Sequence, residues 1–216
     1  MQKLITYLKL LIVGCSVCSW PLVAAVVTDI QSLPVLIKQI QQGGHVLYLR
    51  HAPTEPKTTD SNRQAVQGGF SVNYDDCSSQ RNLSSRGREV ASNIKKHLQR
   101  LQIPIGSVAS SPYCRALDTA KIIFQQVTVD YDLAYSLSKN STESKRLGQY
   151  LAEAMHSTEA LTSNTVFVGH STNLRDGLGV WPKPEGVLVV FKKQGNDLIY
   201  KGMIVPDDWR EIAAPP

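Results

Sequence analysis

Short apolar runs alternate with segments of helical periodicity along this chain, and that cadence leaves few folds open. Ser32 to Gln42 carries Leu33, Val35, Leu36, Ile37 and Ile40 and reads as a helix ended by Gly43-Gly44. His45 to Leu49 reads as a buried strand. Ser84 or Ser85 can cap the next helix, on which Val90, Ile94, Leu98 and Leu101 recur at helical spacing before Pro104 stops it. Ser107 to Ser110 is a second strand, Tyr113 to Phe124 a helix, Val127 to Val129 a third strand and Glu143 to Met155 a helix. Thr165 to Val168 is a fourth strand, and Val187 to Phe191 with Leu198 to Ile204 forms a hairpin across Gln194-Gly195-Asn196-Asp197. Strands that alternate with helices pair in parallel and carry helices on both faces. The expectation is a three-layer α/β/α sandwich with a mostly parallel sheet and an antiparallel edge hairpin. Pro53 to Gln80 interrupts the cadence as a long polar stretch, read as a loop over the pocket.

The first 25 residues differ from the rest. Lys3 and Lys9 are their only charges, Leu10 to Trp20 is mostly apolar, and Val23-Ala24-Ala25 offers small residues for cleavage. This is the form of a secretory signal peptide, which divides the chain into 1–25 and a single domain over 26–216. The apolar run after Lys9 is short for a membrane span of about 20 residues. Ile12-Val13-Gly14-Cys15 also resembles a lipobox, the alternative of a lipoprotein signal. Without the first 25 residues the balance is 21 basic against 18 acidic, or +3, too weak to point to nucleic acid. Cys77 and Cys114 then remain. An exported chain meets an oxidising compartment, which favours a disulfide over two buried thiols. It would close a loop of about 37 residues, worth roughly 4 kcal/mol in chain entropy.

Three polar clusters follow predicted strands at once: Arg50-His51, Ser110-Ser111 with Arg115, and His170. Open α/β sheets bind ligands beyond the carboxyl ends of their strands, so these segments can meet in one pocket. Guanidinium forks match phosphate oxygens with paired charge-assisted hydrogen bonds. Two arginines with two histidines therefore suit a dianionic phosphate, and the same two arginines would repel a zinc ion held by His51 and His170.

The clusters resemble the motifs of the histidine phosphatase superfamily, which has a phosphoglycerate mutase-like fold. Leu49-Arg50-His51-Ala52 stands at its Arg-His-Gly signature, with alanine for glycine. Leu83-Ser84-Ser85-Arg86-Gly87 resembles its Leu-x-x-x-Gly helix start. Ser110-Ser111-Pro112-Tyr113-Cys114-Arg115-Ala116-Leu117-Asp118-Thr119-Ala120 and Val168-Gly169-His170 complete the series in order. The resemblance implies that His51 attacks phosphorus and forms a phosphohistidine, while Arg50, Arg115 and His170 hold the phosphoryl oxygens. It implies a phosphomonoesterase that needs no metal or cofactor and acts on a small phosphoester or an envelope sugar phosphate. A phosphomutase, or a binder that retains the pocket without catalysis, are the alternatives. The leaving oxygen needs an acid, and relatives take it from a glutamate before the fourth strand or from an aspartate after the second histidine. Ser171 follows His170 here, so Glu143 is the first choice, with Glu55 and Asp76 as others. Arg81, Asn82 and Asn173 are candidate substrate-binding residues: the first two adjoin Cys77, and Asn173 lies one turn past His170. His45, His97 and His156 are read as structural or solvated, and Trp181, Trp209 and the Asp207-Asp208 pair as packing and surface.

Overall fold

The computed structural model describes residues 26–56, 60, 63–66, 69–136, 140–159, 162–195 and 197–212. The segment 1–25, read as a signal peptide, lies outside them, as do Asn196 and parts of the stretch after Pro56. In chain order the elements are β1 (Val27–Thr28), α1 (Leu33–Gln41), β2 (Val46–Arg50), β3 (Arg63–Val66), β4 (Gly69–Val72), α2 (Ser85–Arg100), β5 (Ile105–Ser110) and α3 (Cys114–Ile123). They continue with β6 (Thr128–Val129), α4 (Ser141–Ser157), β7 (Asn164–Gly169), α5 (Ser171–Leu178), β8 (Leu188–Gln194), β9 (Asp197–Ile204) and α6 (Asp208–Glu211).

One seven-stranded sheet runs β1-β9-β8-β2-β7-β5-β6. β2, β7, β5 and β6 pair in parallel, while β8 runs antiparallel to both β2 and β9. The predicted hairpin is thus present and abuts β2. Its outer strand is in turn covered by β1, too short to be read from sequence.

Alternation along the strands builds a core on each face. Leu47, Leu49, Val166, Val168, Leu188 and Val190 point to one side, where α1, α2 and α3 bring Leu36, Ile40, Val90, Ile94, Leu98 and Ala116. Val46, Tyr48, Phe167, Val189 and Phe191 point to the other, against Leu151 and Met155 of α4 and Leu174 of α5. Each layer buries apolar surface at roughly 25 cal/mol per Å². Trp209 of α6 is fully buried in the first core, and Trp181 is exposed.

Two elements depart from the sequence reading. The stretch from Pro53 to Gln80 contains the β3–β4 hairpin. Its strands are mostly polar or small, so no apolar alternation announces them. α5 is only eight residues long and contains Gly177, whose Cβ position would meet the Gly148 carbonyl at 2.2 Å. The close crossing of α4 and α5 requires a glycine there, at the cost of helix propensity.

Candidate active site

The register of three adjacent strands assembles the pocket. Arg50, the last residue of β2, is paired with Gly169, the last of β7, so His51 and His170 emerge side by side. Ser110 ends β5 opposite Val168, and Ser111 N donates to the Val168 carbonyl. The two histidine rings lie 5.4 Å apart, edge to face, and both are buried.

Close approaches explain the small residues of the motifs. A Cβ on Gly87 would lie 1.9 Å from the Pro53 carbonyl oxygen. That carbonyl instead accepts hydrogen bonds from Ser84 N and Oγ, while Ser84 Oγ caps α2 through Gly87 N. The start of α2 is therefore fastened to the chain just past His51. A Cβ on Gly169 would strike the Tyr48 hydroxyl, which donates to the His170 carbonyl at 2.7 Å. Thr119 Oγ accepts from Ala52 N at 2.9 Å and donates to the Arg115 carbonyl at 2.7 Å, tying the His51 loop to α3. Among the described residues Gln102 is the only non-glycine with positive φ, so alanine at 52 meets no backbone strain.

His51 Nδ1 lies 3.0 Å from the Ala52 carbonyl. A carbonyl can only accept, so Nδ1 carries the proton and Nε2 keeps its lone pair. Burial, followed by the charges of Arg115, Arg50 and Arg81, holds His51 well below the ordinary histidine value and thus neutral at pH 7. His170 is held down in the same way by burial and then by Arg115, His51 and Arg50. Its Nε2 shares a 2.9 Å hydrogen bond with Ser111 Oγ, and its Nδ1 is buried with no partner.

Three guanidinium groups surround the histidines, each braced by protein acceptors. Arg50 donates to the Pro182 carbonyl and to Glu185 Oε1, both at 3.2 Å, and Arg81 donates to the same Oε1 at 3.2 Å. Glu185 Oε2 accepts from Thr54 N at 3.0 Å. Arg115 pairs with Asp60 at 3.0 Å, and Asp60 Oδ1 also accepts from Arg81 N. The Nε atoms of Arg50 and Arg81 and the Oδ1 of Asn82 are, like His170 Nδ1, buried without partners. Buried polar atoms are normally satisfied, so the unused Nε donors of Arg50 and Arg81 suit an anionic ligand, whereas the amide oxygen of Asn82 can only accept. An open cavity of about 690 Å³ adjoins Arg50 and is lined also by Pro53, Lys183, Pro184 and Glu185. Among the described residues no cluster of His, Cys, Asp or Glu is arranged to hold a metal ion.

The structure thus brings together His51, His170, Arg50, Arg115 and Arg81. Cys77 and Cys114 form a disulfide, and Gln80 accepts from Cys114 N, so the segment that carries Arg81 is pinned against α3. Asn82 donates to the Cys77 carbonyl at 2.6 Å. Asn173 is differently employed from its expected place in the pocket lining. Its amide donates to the Ala134 carbonyl and accepts from Ser136 N, holding the segment that carries Tyr135. Glu143 opens α4 on an outer face, where Arg146 clamps its carboxylate at 2.7 and 2.8 Å and also reaches Asp132. Asp76 caps its own turn through Ser78. Sequence reading missed the carboxylates Glu185 and Asp60, which meet the arginines only through tertiary structure. It also missed Tyr113 and Tyr135, whose rings lie 5.1 Å from that of His170. Tyr113 stands inside the Ser-Ser-Pro-x-x-Arg block and was the one of these with a sequence signal. His45, His97 and His156 bond to nearby backbone carbonyls, as structural histidines do.

An α/β sheet with two histidines and arginines at adjacent strand ends defines a phosphate-binding class of pocket. The model of the histidine phosphatase superfamily (branch 1) matches residues 46–138 of this chain. A candidate alpha-ribazole-5'-P phosphatase from Escherichia coli has a similar fold, with TM-score 0.54 and 12% identity over 75% of this chain and 97% of that one. The alpha-ribazole phosphatase from Shigella flexneri gives TM-score 0.52 and 13% identity over 75% and 96%. A mutant phosphoserine phosphatase from Entamoeba histolytica in complex with phosphoserine gives 0.51 and 12% over 76% and 98%. Identities this low establish a shared fold. No curated protein matches the chain in sequence.

Proposed function

We propose that this protein is an exported phosphomonoesterase that acts through a phosphohistidine on a small phosphoester or an envelope sugar phosphate. The observation that carries the reading is a buried, neutral His51 with Nε2 free, set among guanidinium groups whose Nε donors are unused. In this scheme Nε2 attacks phosphorus as the P–O ester bond breaks, and the alkoxide leaves with a proton from an acid. The Nε–H groups of Arg50 and Arg81, the Arg115 guanidinium and His170 Nδ1–H stabilise the charge on the equatorial oxygens. Water then attacks the phosphohistidine, releases inorganic phosphate and returns His51 to its neutral form. The signal-like segment 1–25 supports export, and the Cys77–Cys114 disulfide fits an oxidising compartment.

The test is phosphate release from an aryl phosphate by the purified protein, beside a His51→Ala control. Release by the wild type alone supports the reading. Equal release by both proteins refutes it.

A further inference from the structure

We infer that the alcohol half of the substrate carries a positive charge, which rests on a shelf of tyrosines bordering the phosphate pocket. The inference extends the phosphatase reading above and rests on it for the position of the phosphate. Four ring contacts lead outward from His170. Tyr113 and Tyr135 flank it, Tyr74 meets Tyr113 at 5.3 Å between centroids, and Tyr131 meets Tyr74 at 5.8 Å. The series passes from buried Tyr113, through half-buried Tyr74 and Tyr135, to Tyr131, which is 64% exposed. Tyr113 packs with Val72 and Ala134, and Tyr74 and Tyr135 pack against them, so Tyr131 at the outer end is the aromatic surface open to a ligand.

Aromatic faces take up a sugar, an aryl group or a cation, and the charges around this shelf favour the third. Tyr74 is followed in sequence by Asp75 and Asp76, and Tyr131 lies between Asp130 and Asp132. Arg146 is the cation the structure pairs with this group, through Asp132. At Tyr74 and Tyr131 four carboxylates stand against the Arg146 guanidinium, while Arg115 at Tyr113 and Tyr135 is paired with Asp60; this balance repels a second anionic group and attracts an ammonium, which the tyrosine faces also hold through their quadrupoles. The pocket already uses this chemistry, because the Arg115 guanidinium lies 4.5 Å from the Tyr113 ring centre and 5.4 Å from that of Tyr135. On the pocket side, Tyr113 and Tyr135 flank His170, so the shelf begins beside the group that holds the phosphoryl oxygens. A zwitterionic ester fits both halves: phosphate on the arginines, and an alkylammonium or aminosugar on the tyrosines.

The test uses ester pairs of one shape that differ by one charge. They are phosphocholine against 3,3-dimethylbutyl phosphate, and glucosamine 6-phosphate against glucose 6-phosphate. Calorimetry on the His51→Ala full chain reads binding without turnover. The cationic member of at least one pair should bind about tenfold tighter, and which pair shows it separates an amino alcohol from an aminosugar. The preference should fall toward unity in Tyr131→Ala and in Asp132→Asn, two surface changes that do not disturb the core. Equal or tighter binding of both neutral members overturns the inference, and so does a preference that survives Tyr131→Ala. If no ester binds at all the inference also falls, and aryl phosphate hydrolysis by the wild type then tells whether the phosphatase reading falls with it.

Discussion

Replacing Asp60 with asparagine should weaken the empty protein and strengthen its hold on phosphate. Asp60 and Arg115 are 6% and 5% exposed and lie 3.0 Å apart. Removing one charge of a buried pair costs about 3–5 kcal/mol. Asparagine keeps an oxygen for Arg81 N, so the lower end, about 3 kcal/mol, is expected. For a domain of this size that lowers Tm by roughly 6–12 °C. The same carboxylate opposes an incoming phosphate: with an effective dielectric of about 20, one unit charge at ~8 Å contributes roughly 2 kcal/mol. Phosphate should therefore bind Asp60→Asn at least about tenfold tighter than it binds the wild type, which is about 1.4 kcal/mol. Thermal denaturation with and without inorganic phosphate reads both effects, since a ligand of the folded state raises Tm according to its concentration over Kd. A variant as stable as wild type without phosphate, or one that gains less from phosphate than wild type does, refutes this account of the pocket.

Three further outcomes follow from the same contacts. Glu185→Ala removes the shared acceptor of Arg50, Arg81 and Thr54. It should lower kcat by about 10- to 100-fold as the guanidinium groups lose their bracing, with Glu185→Gln recovering part; steady-state kinetics on an aryl phosphate checks this. His45 is held down to about 4 by burial, so the unfolded chain binds the extra proton between pH 6.5 and 4. Stability is then full above pH 6.5 and falls as the pH drops toward 4, by up to about 3 kcal/mol from this residue, with His51 and His170 acting in the same direction. Urea titrations of wild type and His45→Asn at pH 7.5 and 4.5 should show the wild type losing more. Reducing the Cys77–Cys114 bond releases a loop with a sequence separation of 37, and should cost about 4 kcal/mol; denaturant midpoints with and without reductant measure it.

Local patterning announced most of the fold. Apolar runs such as His45 to Leu49 and helical periods such as Val90, Ile94 and Leu98 state their own conformation, and their alternation dictates a parallel sheet. The β3–β4 hairpin and α5 were silent because their residues are polar or small and owe their structure to partners elsewhere. The site divides in the same way. His51, Arg50, Arg115 and His170 sit in ordered blocks directly after strands, so their convergence was legible from sequence. Glu185 and Asp60 reach the arginines across separations of 135 and 55 residues, which no local pattern records. Asn173 shows the converse: a residue one turn from His170 whose amide the fold turns toward the chain at 134–136.

The central claim is that His51 Nε2 takes the phosphoryl group, and trapping it is the most direct test. The protein is mixed with aryl phosphate, quenched in alkaline denaturant, and digested for mass spectrometry. The account predicts one phosphoryl group on the peptide containing His51, absent from His51→Ala. Phosphate release by the wild type with no modified His51, or with the phosphoryl group on another residue, would contradict it.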